Sequence, residues 1–401
     1  MPPRHQEEAC FDTTELAAKV AQVHHAFAEY LDPHVPDCAL PSAGPSDSVG
    51  QGSADATTAV GDRPRLEVLP QAESGSRYRC LFQLLSHPYR YARRKHGIAT
   101  ALEGDEFVIA APRIKLLMRA FLEHLASDDR LAKSCRSLNF HVTLSDDSML
   151  ALVYEEPLDE VGWREAAEAC RTALGLGTIV GRAKKQCIAL PRTHVLERFP
   201  LQPGLDVYQQ QEESIFSNPS APMCLQTMQW LVEVARQFGG TDLNLLELYS
   251  GSGTYTPAMC SVFAHVLSVE IQRTLVEAAR RNLELNHCES RATVHRAPVE
   301  FCRRLLRSRE HEGRRYDAVL LDPPRDGLDD FTRSQLHNFE VVMLISCSPL
   351  RKLILDAEAL HTTHRLARMV ILDHFPGTRH LEAAVVFVRH RTIDAPVAVD
   401  D

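Results

Sequence analysis

The sequence predicts an α/β protein built on a doubly wound, largely parallel sheet, preceded by a smaller α+β region. Three observations carry this expectation. From about residue 222 onward, short apolar runs alternate with helical stretches, the pattern of parallel strands joined by crossover helices. Two closing runs, "LARMVILDHF" and "HLEAAVVFVRH", are separated only by a turn around Pro376 and Gly377, so they must pair antiparallel. Upstream, "SLNFHVTL" and "SMLALVYEE" flank a Ser-Asp-Asp turn, which signals a hairpin.

In chain order, the first element is a helix in "DTTELAAKVAQVHHAFAEYL". Asp12 and Glu15 form a capping-box pattern, and Leu16, Val20, Val23, Phe27 and Leu31 recur at helical spacing. Composition then collapses to Ser, Gly, Ala, Asp and Pro. The chain is accordingly divided into an N-terminal helical segment (1–40), a disordered insert (41–76), an α+β region (77–205) and a sheet-forming domain (206–395). In the α+β region, "RIKLLMRAFLEHLA" and "WREAAEACRTAL" have helical periodicity. In the last domain the expected strands are "LNLLELYS", "VLSVEI", "ATVHRA", "YDAVLLD" and "VVMLISC", followed by the antiparallel pair.

The bulk numbers exclude several classes. At 401 residues, with 44% apolar and 24% charged, the chain is long enough for two or three domains. No apolar run approaches the roughly 18 residues of a membrane span. The acidic N-terminus argues against a secretory signal, so a cytoplasmic protein is expected. Eleven scattered cysteines, without a C-x-x-C pair, are neither a disulfide framework nor a metal pattern. His361 and His364 in "HTTH" have no evident third ligand, so no metal is expected. A net charge of −9 argues against indiscriminate coating of nucleic acid. A local basic surface exists nonetheless. "HPYRYARRKH" places Arg90, Arg93, Arg94 and Lys95 beside Tyr89 and Tyr91, and "GRAKKQ" adds Arg182, Lys184 and Lys185. Such runs are usually solvated faces, but basic residues interleaved with aromatics also suit a phosphate backbone with unstacked bases.

The chemistry is concentrated at strand ends. "ELYSGSGTYT" follows the first strand of the last domain, and Gly251 and Gly253 let the backbone approach a ligand at the sheet's switch point. Glu270 ends the next strand, where a carboxylate would take ribose hydroxyls. Thr256 stands where a dinucleotide fingerprint has its third glycine, which favours S-adenosylmethionine over NAD. In "LLDPPRDGLDD" the two prolines hold Asp322 extended at the crevice. Arg325 follows, a cation suited to anionic character on a pyrimidine or to a phosphate.

Cys347, in "LISCSPL", lies between an apolar strand and a helix start marked by Ser348 and Pro349. A free cysteine usually packs as a small hydrophobe; a thiol before a helix N-terminus can instead be biased toward its thiolate. Asp322 shares that strand edge, and Glu382 opens the final strand. A thiol, a carboxylate and a methyl donor together define one reaction. Thiolate addition at C6 of uracil makes C5 nucleophilic, C5 takes the methyl group, and a base removes the C5 proton.

In these motifs the sequence resembles the bacterial-type tRNA (uracil-5-)-methyltransferases, over nearly the whole chain outside the insert. The resemblance rests on "LLELYSGSG", "VLSVEI", "DPPRDGLD", "ISCSP" and "DHFPGTRHLEA", with weaker matches through "SRYR", "LALVYEEPLDEVGWREAAEA" and "IFSNPSAPM". It implies a Rossmann-like methyltransferase domain behind an RNA-binding region, with Cys347 as nucleophile and Glu382 as general base. It further implies that Tyr249, Glu270 and Asp322 contact S-adenosylmethionine, with Asn218 in the loop that meets cofactor and base; Gly251 and Thr254 of the glycine loop are expected to bind the cofactor with them, and the cations Arg325, Arg90, Arg93, Arg94 and Lys95 to meet the RNA. The expected substrate is the tRNA T-arm, methylated at uridine 54 by tRNA convention, and the expected enzyme is a monomer without metal. Asn218 replaces the family's usual glutamine, Ser348 its asparagine, and Ser252 and Thr254 stand where asparagines are common. The N-terminal barrel and four-cysteine cluster of the rRNA-directed branch are not visible, which favours tRNA. Another structured RNA, or a non-catalytic RNA-binding or folding factor, are the alternatives.

Overall fold

The computed structural model describes residues 15–33, 63–72, 74–86, 88–95, 98–102 and 107–390. Asp12 of the capping box, residues 41–62 of the insert, and the side chains of Arg94 and Lys95 lie outside that description. Helix α1 (Leu16–Ala26) forms on the expected periodicity, and Val20, Val23, Phe27 and Leu31 are fully buried. Strand β1 (Leu66–Leu69) corrects the insert boundary. Composition assigned these residues to the disordered stretch, but Leu66 is buried and Glu67 accepts the Arg368 guanidinium at 2.5 and 2.6 Å. A four-residue strand is too short to stand out in a window dominated by Ser, Gly and Asp.

Seven strands form one sheet: β2 (Arg79–Leu85), β3 (Arg90–Lys95), β4 (Ile98–Ala101), β5 (Cys135–Val142), β6 (Ser148–Tyr154), β7 (Thr178–Ala183) and β8 (Gln186–Leu190). Their spatial order is β4-β3-β2-β5-β6-β7-β8. The expected hairpin is β5–β6, antiparallel, with Asp146 at φ +65° in its turn. Helices α2 (Pro112–Ser127) and α3 (Glu160–Leu174) share a core with this sheet, through Ile114, Leu117, Phe121, Trp163 and Cys170 against Phe82 and Phe140. A hairpin of β9 (His194–Gln202) and β10 (Leu205–Glu212) follows. The expected boundary at 205/206 runs through this one hairpin.

The larger sheet has eight strands. Its further members are β11 (Asn244–Leu248), β12 (His265–Glu270), β13 (Ala292–Arg296), β16 (Ala318–Leu321), β17 (Val341–Ser346), β18 (His364–Leu372) and β19 (Glu382–Arg389); the two-residue strands β14 (Glu310–His311) and β15 (Arg314–Arg315) pair apart from it. The order is β1-β18-β19-β17-β16-β11-β12-β13, with β19 antiparallel to both its neighbours. Helices cover both faces, as a doubly wound sheet requires. One core gathers α4 (Ala221–Phe238), α5 (Thr256–Met259) and α6 (Arg273–Leu285). The other gathers α1 and α9 (Ile354–Leu360), with Leu305 and Leu306 of α7 (Val299–Ser308). A short α8 (Asp330–Gln335) begins just past the "DPPRDGLDD" loop. Among the described residues, no helix is long and apolar enough to cross a membrane.

Candidate functional site

Strand order brings the sequence's candidates to one edge. In a doubly wound sheet the carboxyl ends of the parallel strands line a common crevice, and here β11, β12, β16 and β17 end in Leu248, Glu270, Leu321 and Ser346. Strand β19 runs the opposite way, so its first residue returns to that same edge. Ser346 pairs with Ala383 across β17 and β19. Cys347 follows Ser346 just past the end of β17 and Glu382 precedes Ala383, so both lie at this edge, close enough for the carboxylate's charge to act on the thiol.

The loop after β11 is built from unusual backbone. Tyr249, Gly251 and Gly253 have φ of +60°, +57° and +74°. The left-handed region is costly for tyrosine, about 1–3 kcal/mol, and it turns the chain sharply off the strand. At Gly253 a Cβ would also lie 3.2 Å from Ala279 Cβ of α6, so the helix sits close over this turn. The Gly251 N–H donates to Glu270 Oε2 at 3.1 Å, while Ile271 and Gln272 N–H groups donate to Oε1, each at 2.8 Å. A carboxylate has about four acceptor positions, and three are held by backbone. The fourth is available to a ribose hydroxyl. Tyr249 is over a third exposed at the crevice, and the Ser250 hydroxyl is buried with no partner among the described residues. Thr254 lines a small cleft with Ser252, Asn218 and Gln209, whose Nε2 donates to the Thr254 carbonyl at 2.9 Å. Backbone groups at close approach, a fixed carboxylate and an unsatisfied hydroxyl fit an adenosine-type ligand such as S-adenosylmethionine.

The reacting corner is electrostatically tense. Asp322 opens onto the crevice, yet protein encloses it on its other sides; burial and the Glu382 charge push its carboxyl up to about 7. Burial likewise raises Glu382 to about 7, against the lowering effect of Arg325. A carboxylic acid titrating there is half ionised near neutrality, which suits a general base. The Cys347 thiol is raised as well, first by burial and then by Glu382; Asp322 adds to the rise while Arg325 opposes it. This corrects the expectation that a helix N-terminus would favour the thiolate. Ser348 makes no side-chain cap, its N–H turns back to Ser346 Oγ at 3.2 Å, and the chain opens as a π turn over Pro349–Leu353 before α9 begins. The dipole of a regular first turn is therefore not focused on the sulfur, and Arg325 is the cation that favours ionisation.

Asn218 is turned inward. Its Oδ1 accepts from Ser220 N–H at 3.0 Å and its Nδ2 lies 3.1 Å from His374 Nδ1. The basic stretch is divided by its strand. Arg90 and Arg93 are exposed, and Arg93 stands over the Phe107 ring at 4.9 Å. Tyr91 corrects the expected stacking surface. It is buried at 4% exposure among Phe82 and Phe140, with its hydroxyl donating to the Met118 carbonyl, so it is core. Tyr89 donates to Asp129 Oδ2 at 3.2 Å, and Arg182 is held by Glu213 at 2.5 Å, while Lys184 and Lys185 are exposed. The His361/His364 pair is structural: His364 Nε2 lies 2.8 Å from the Phe339 carbonyl and His361 Nδ1 2.6 Å from that of Glu358.

Several residues that shape the site are not singled out by the sequence, although some lie within stretches that carry the resemblance. Arg79, in "SRYR", donates to the carbonyls of Glu213 and Ile215 at 2.7 and 2.6 Å and to Ser217 Oγ, bracing the loop that carries Asn218. Lys19 is fully buried and donates to the His380 carbonyl at 3.3 Å, and Arg77 stacks over Phe375 at 5.2 Å. Both steady the segment leading to Glu382. His374 lies within the "DHFPGTRHLEA" motif, but only burial reveals that it touches the site.

Comparison with known proteins finds relatives by sequence and by fold. A family model described as tRNA (Uracil-5-)-methyltransferase matches residues 63–390. A tRNA/tmRNA (uracil-C(5))-methyltransferase of Chromohalobacter salexigens is 35% identical over 347 residues, covering 81% of this chain and 90% of that one. Its counterpart from Aromatoleum aromaticum is 36% identical over 300 residues, covering 73% and 80%. Among solved structures, the Pyrococcus abyssi tRNA (uracil-54, C5)-methyltransferase in complex with S-adenosyl-L-homocysteine superposes with a TM-score of 0.62 at 19% identity. That match covers 81% of this chain and 79% of the other, and it shows the shared fold.

Proposed function

The chain belongs to the tRNA (uracil-5-)-methyltransferase family, and we propose that it methylates C5 of uridine 54 in the tRNA T-loop through a covalent adduct with Cys347. It is an S-adenosylmethionine-dependent RNA (uracil-C5) methyltransferase. The observation that carries the covalent reading is the register: the Ser346–Ala383 pair brings the residues beyond it, Cys347 and Glu382, to one edge, where the carboxylate's charge acts on the thiol.

S-adenosylmethionine supplies an electrophilic methyl group when bound; Tyr249, Gly251, Thr254, Glu270 and Asp322 hold it, with Asn218 behind them. Cys347 Sγ, as thiolate, adds to C6 of the uracil, and the C5=C6 electron pair becomes enolate-like at C5. Arg325 favours the thiolate and balances the negative charge on the ring. C5 takes the methyl group, and the sulfonium bond that breaks leaves S-adenosylhomocysteine. The Glu382 carboxylate then accepts the C5 proton, the C–H electrons restore C5=C6, and Sγ departs as thiolate. Glu382, raised to about 7, is ionised enough to take that proton at neutral pH. Residues 77–205 contribute the RNA-binding region, with Arg90, Arg93, Arg94 and Lys95 on phosphates, and residues 206–395 the methyltransferase domain. The enzyme works in the cytoplasm as a monomer, without metal.

The test is direct. Purified protein is incubated with an unmodified tRNA transcript and S-adenosylmethionine labelled in its methyl group, and the label is mapped. Label at C5 of uridine 54, lost when that uridine is replaced by cytidine, is the expected result. Transfer to rRNA fragments but not to tRNA would overturn the assignment, and an active Cys347→Ala variant would overturn the covalent route.

A further inference from the structure

His374 is a buried titratable group beside the reacting carboxylate, at 2% exposure, and the catalytic steps derived for Cys347 and Glu382 do not use it. Three side chains surround its ring. Nδ1 lies 3.1 Å from Asn218 Nδ2, and Nε2 lies 3.3 Å from Thr227 Oγ1 and 3.4 Å from Glu382 Oε2. The hydrogen-bond inventory settles its protonation. Asn218 Oδ1 already accepts from the Ser220 N–H, so the Asn218 group facing His374 is its donating NH₂. Nδ1 must therefore accept, and the proton sits on Nε2. The hydrogen bond it makes there is to the Thr227 hydroxyl, whose own hydrogen goes to the Met223 carbonyl at 2.8 Å, and the Glu382 carboxylate stands beside the same Nε2 at 3.4 Å, in reach of that proton by a small turn of either side chain. An imidazolium would set an Nδ1–H against the Asn218 NH₂, and burial accordingly pushes this histidine down to about 3.

We propose that His374 is a positioning residue: as a neutral Nε2–H imidazole locked in that tautomer by Asn218, it holds Glu382 Oε2 and leaves Oε1 to receive the C5 proton. The inference rests on Glu382 being the base. Burial raises the proton affinity of Glu382 and Arg325 lowers it, and a donor brought to bear on Oε2 would act in the same direction as Arg325. The loop preceding α4 is thereby coupled to the base, through Asn218, His374 and Glu382 in sequence. The other titratable groups whose charges reach Glu382 are Asp322, Cys347, Arg325, Cys224 of α4 and Tyr255 before α5. All are left intact in the His374 variants.

The test compares His374→Leu, His374→Gln and His374→Asn in the full-length enzyme. It follows decay of the methylated RNA–protein adduct against pH, with S-adenosylmethionine affinity measured alongside. Glutamine can place an amide N–H near the Nε2 position; asparagine reaches only the Nδ1 side. For leucine and asparagine, adduct decay should slow about tenfold, the low end for losing a hydrogen bond to a charged group. Its pH midpoint should move upward by about one unit, the same loss expressed as proton affinity, and cofactor affinity should stay unchanged. Glutamine should restore both rate and midpoint. In a Glu382→Gln background, the His374 changes should add nothing. Wild-type decay and midpoint in His374→Asn would overturn the proposal, as would equal slowing in the Glu382→Gln background, which would mark a merely structural role. If His374→Leu fails to fold, the glutamine–asparagine pair decides. Failure of the base assignment is separately visible, because Glu382→Gln alone would then clear its adduct at the wild-type rate.

Discussion

Replacing Glu382 by glutamine keeps the shape of the side chain and removes its ability to take a proton. Glu382 is 20% exposed, touches His374 at 3.4 Å, and titrates at about 7 because burial disfavours its charge. The wild-type enzyme should therefore eliminate Cys347 from the methylated base with a rate that rises with pH through about 7. At pH 6 roughly a tenth of the carboxyl groups are ionised, and at pH 8 roughly nine-tenths. General-base assistance contributes about 100- to 10,000-fold, or about 2.7–5.5 kcal/mol of barrier. Addition of the thiolate and methyl transfer do not need this group, so the loss falls on elimination alone. A methylated RNA–protein adduct should accumulate in Glu382→Gln, visible as a species stable to denaturing electrophoresis and carrying methyl label. Its decay should be flat between pH 6 and 8, where the wild type changes about tenfold. The adduct should vanish in the Cys347→Ala, Glu382→Gln double variant. Rapid turnover of Glu382→Gln without adduct would refute the reasoning and move the base to Asp322 or a water.

Ser348→Ala should leave the thermal midpoint unchanged, within the roughly 0.5 kcal/mol of an ordinary surface substitution, because Ser348 caps no helix through its side chain. A loss near the ~1 kcal/mol of a true N-cap, read in a denaturant melt, would contradict the geometry. Arg90→Gln and Arg93→Gln together should weaken tRNA binding and lower the slope of log K against log salt by about one for each phosphate no longer neutralised. Cofactor affinity should not change, and an unaltered slope would make these residues a solvated face. Asp322→Asn should raise the thermal midpoint at pH 8 while weakening cofactor binding. Its folded-state carboxyl titrates at about 7, above the roughly 3.9 of an unfolded chain. The folded form thus binds the extra proton, and ionised Asp322 costs stability progressively from about pH 4 up through 7. Below about pH 4 the substitution should be neutral on this account, and a midpoint gain that does not shrink on acidification would refute it.

What the sequence determined by itself was local and periodic. The alternation of apolar runs located every parallel strand of the large sheet from β11 to β17 to within a few residues, and the short Pro376–Gly377 turn made β18 and β19 antiparallel. Both depend on side-chain spacing and turn length, which are properties of contiguous residues. Strand-end chemistry was legible for the same reason: glycine, proline and carboxylate at the end of an apolar run announce the crevice edge. Composition averaged over a window could not see the four residues of β1, whose place depends on pairing with β18 near the far end of the chain. Nor could it say that Tyr91 points into the core while Arg90 and Arg93 stay outside. The tertiary structure alone decided the electrostatics of the site. Sequence spacing suggested an activated thiol; packing instead half-buried Cys347 and set the Glu382 and Asp322 carboxylates near it, with Arg325 opposing them, so its proton is held more tightly. It also turned Asn218 onto a buried His374, 156 positions away, and set that ring against Glu382. Proton affinities and tautomers follow from desolvation and from which donor faces which acceptor, and neither exists until distant segments are packed together.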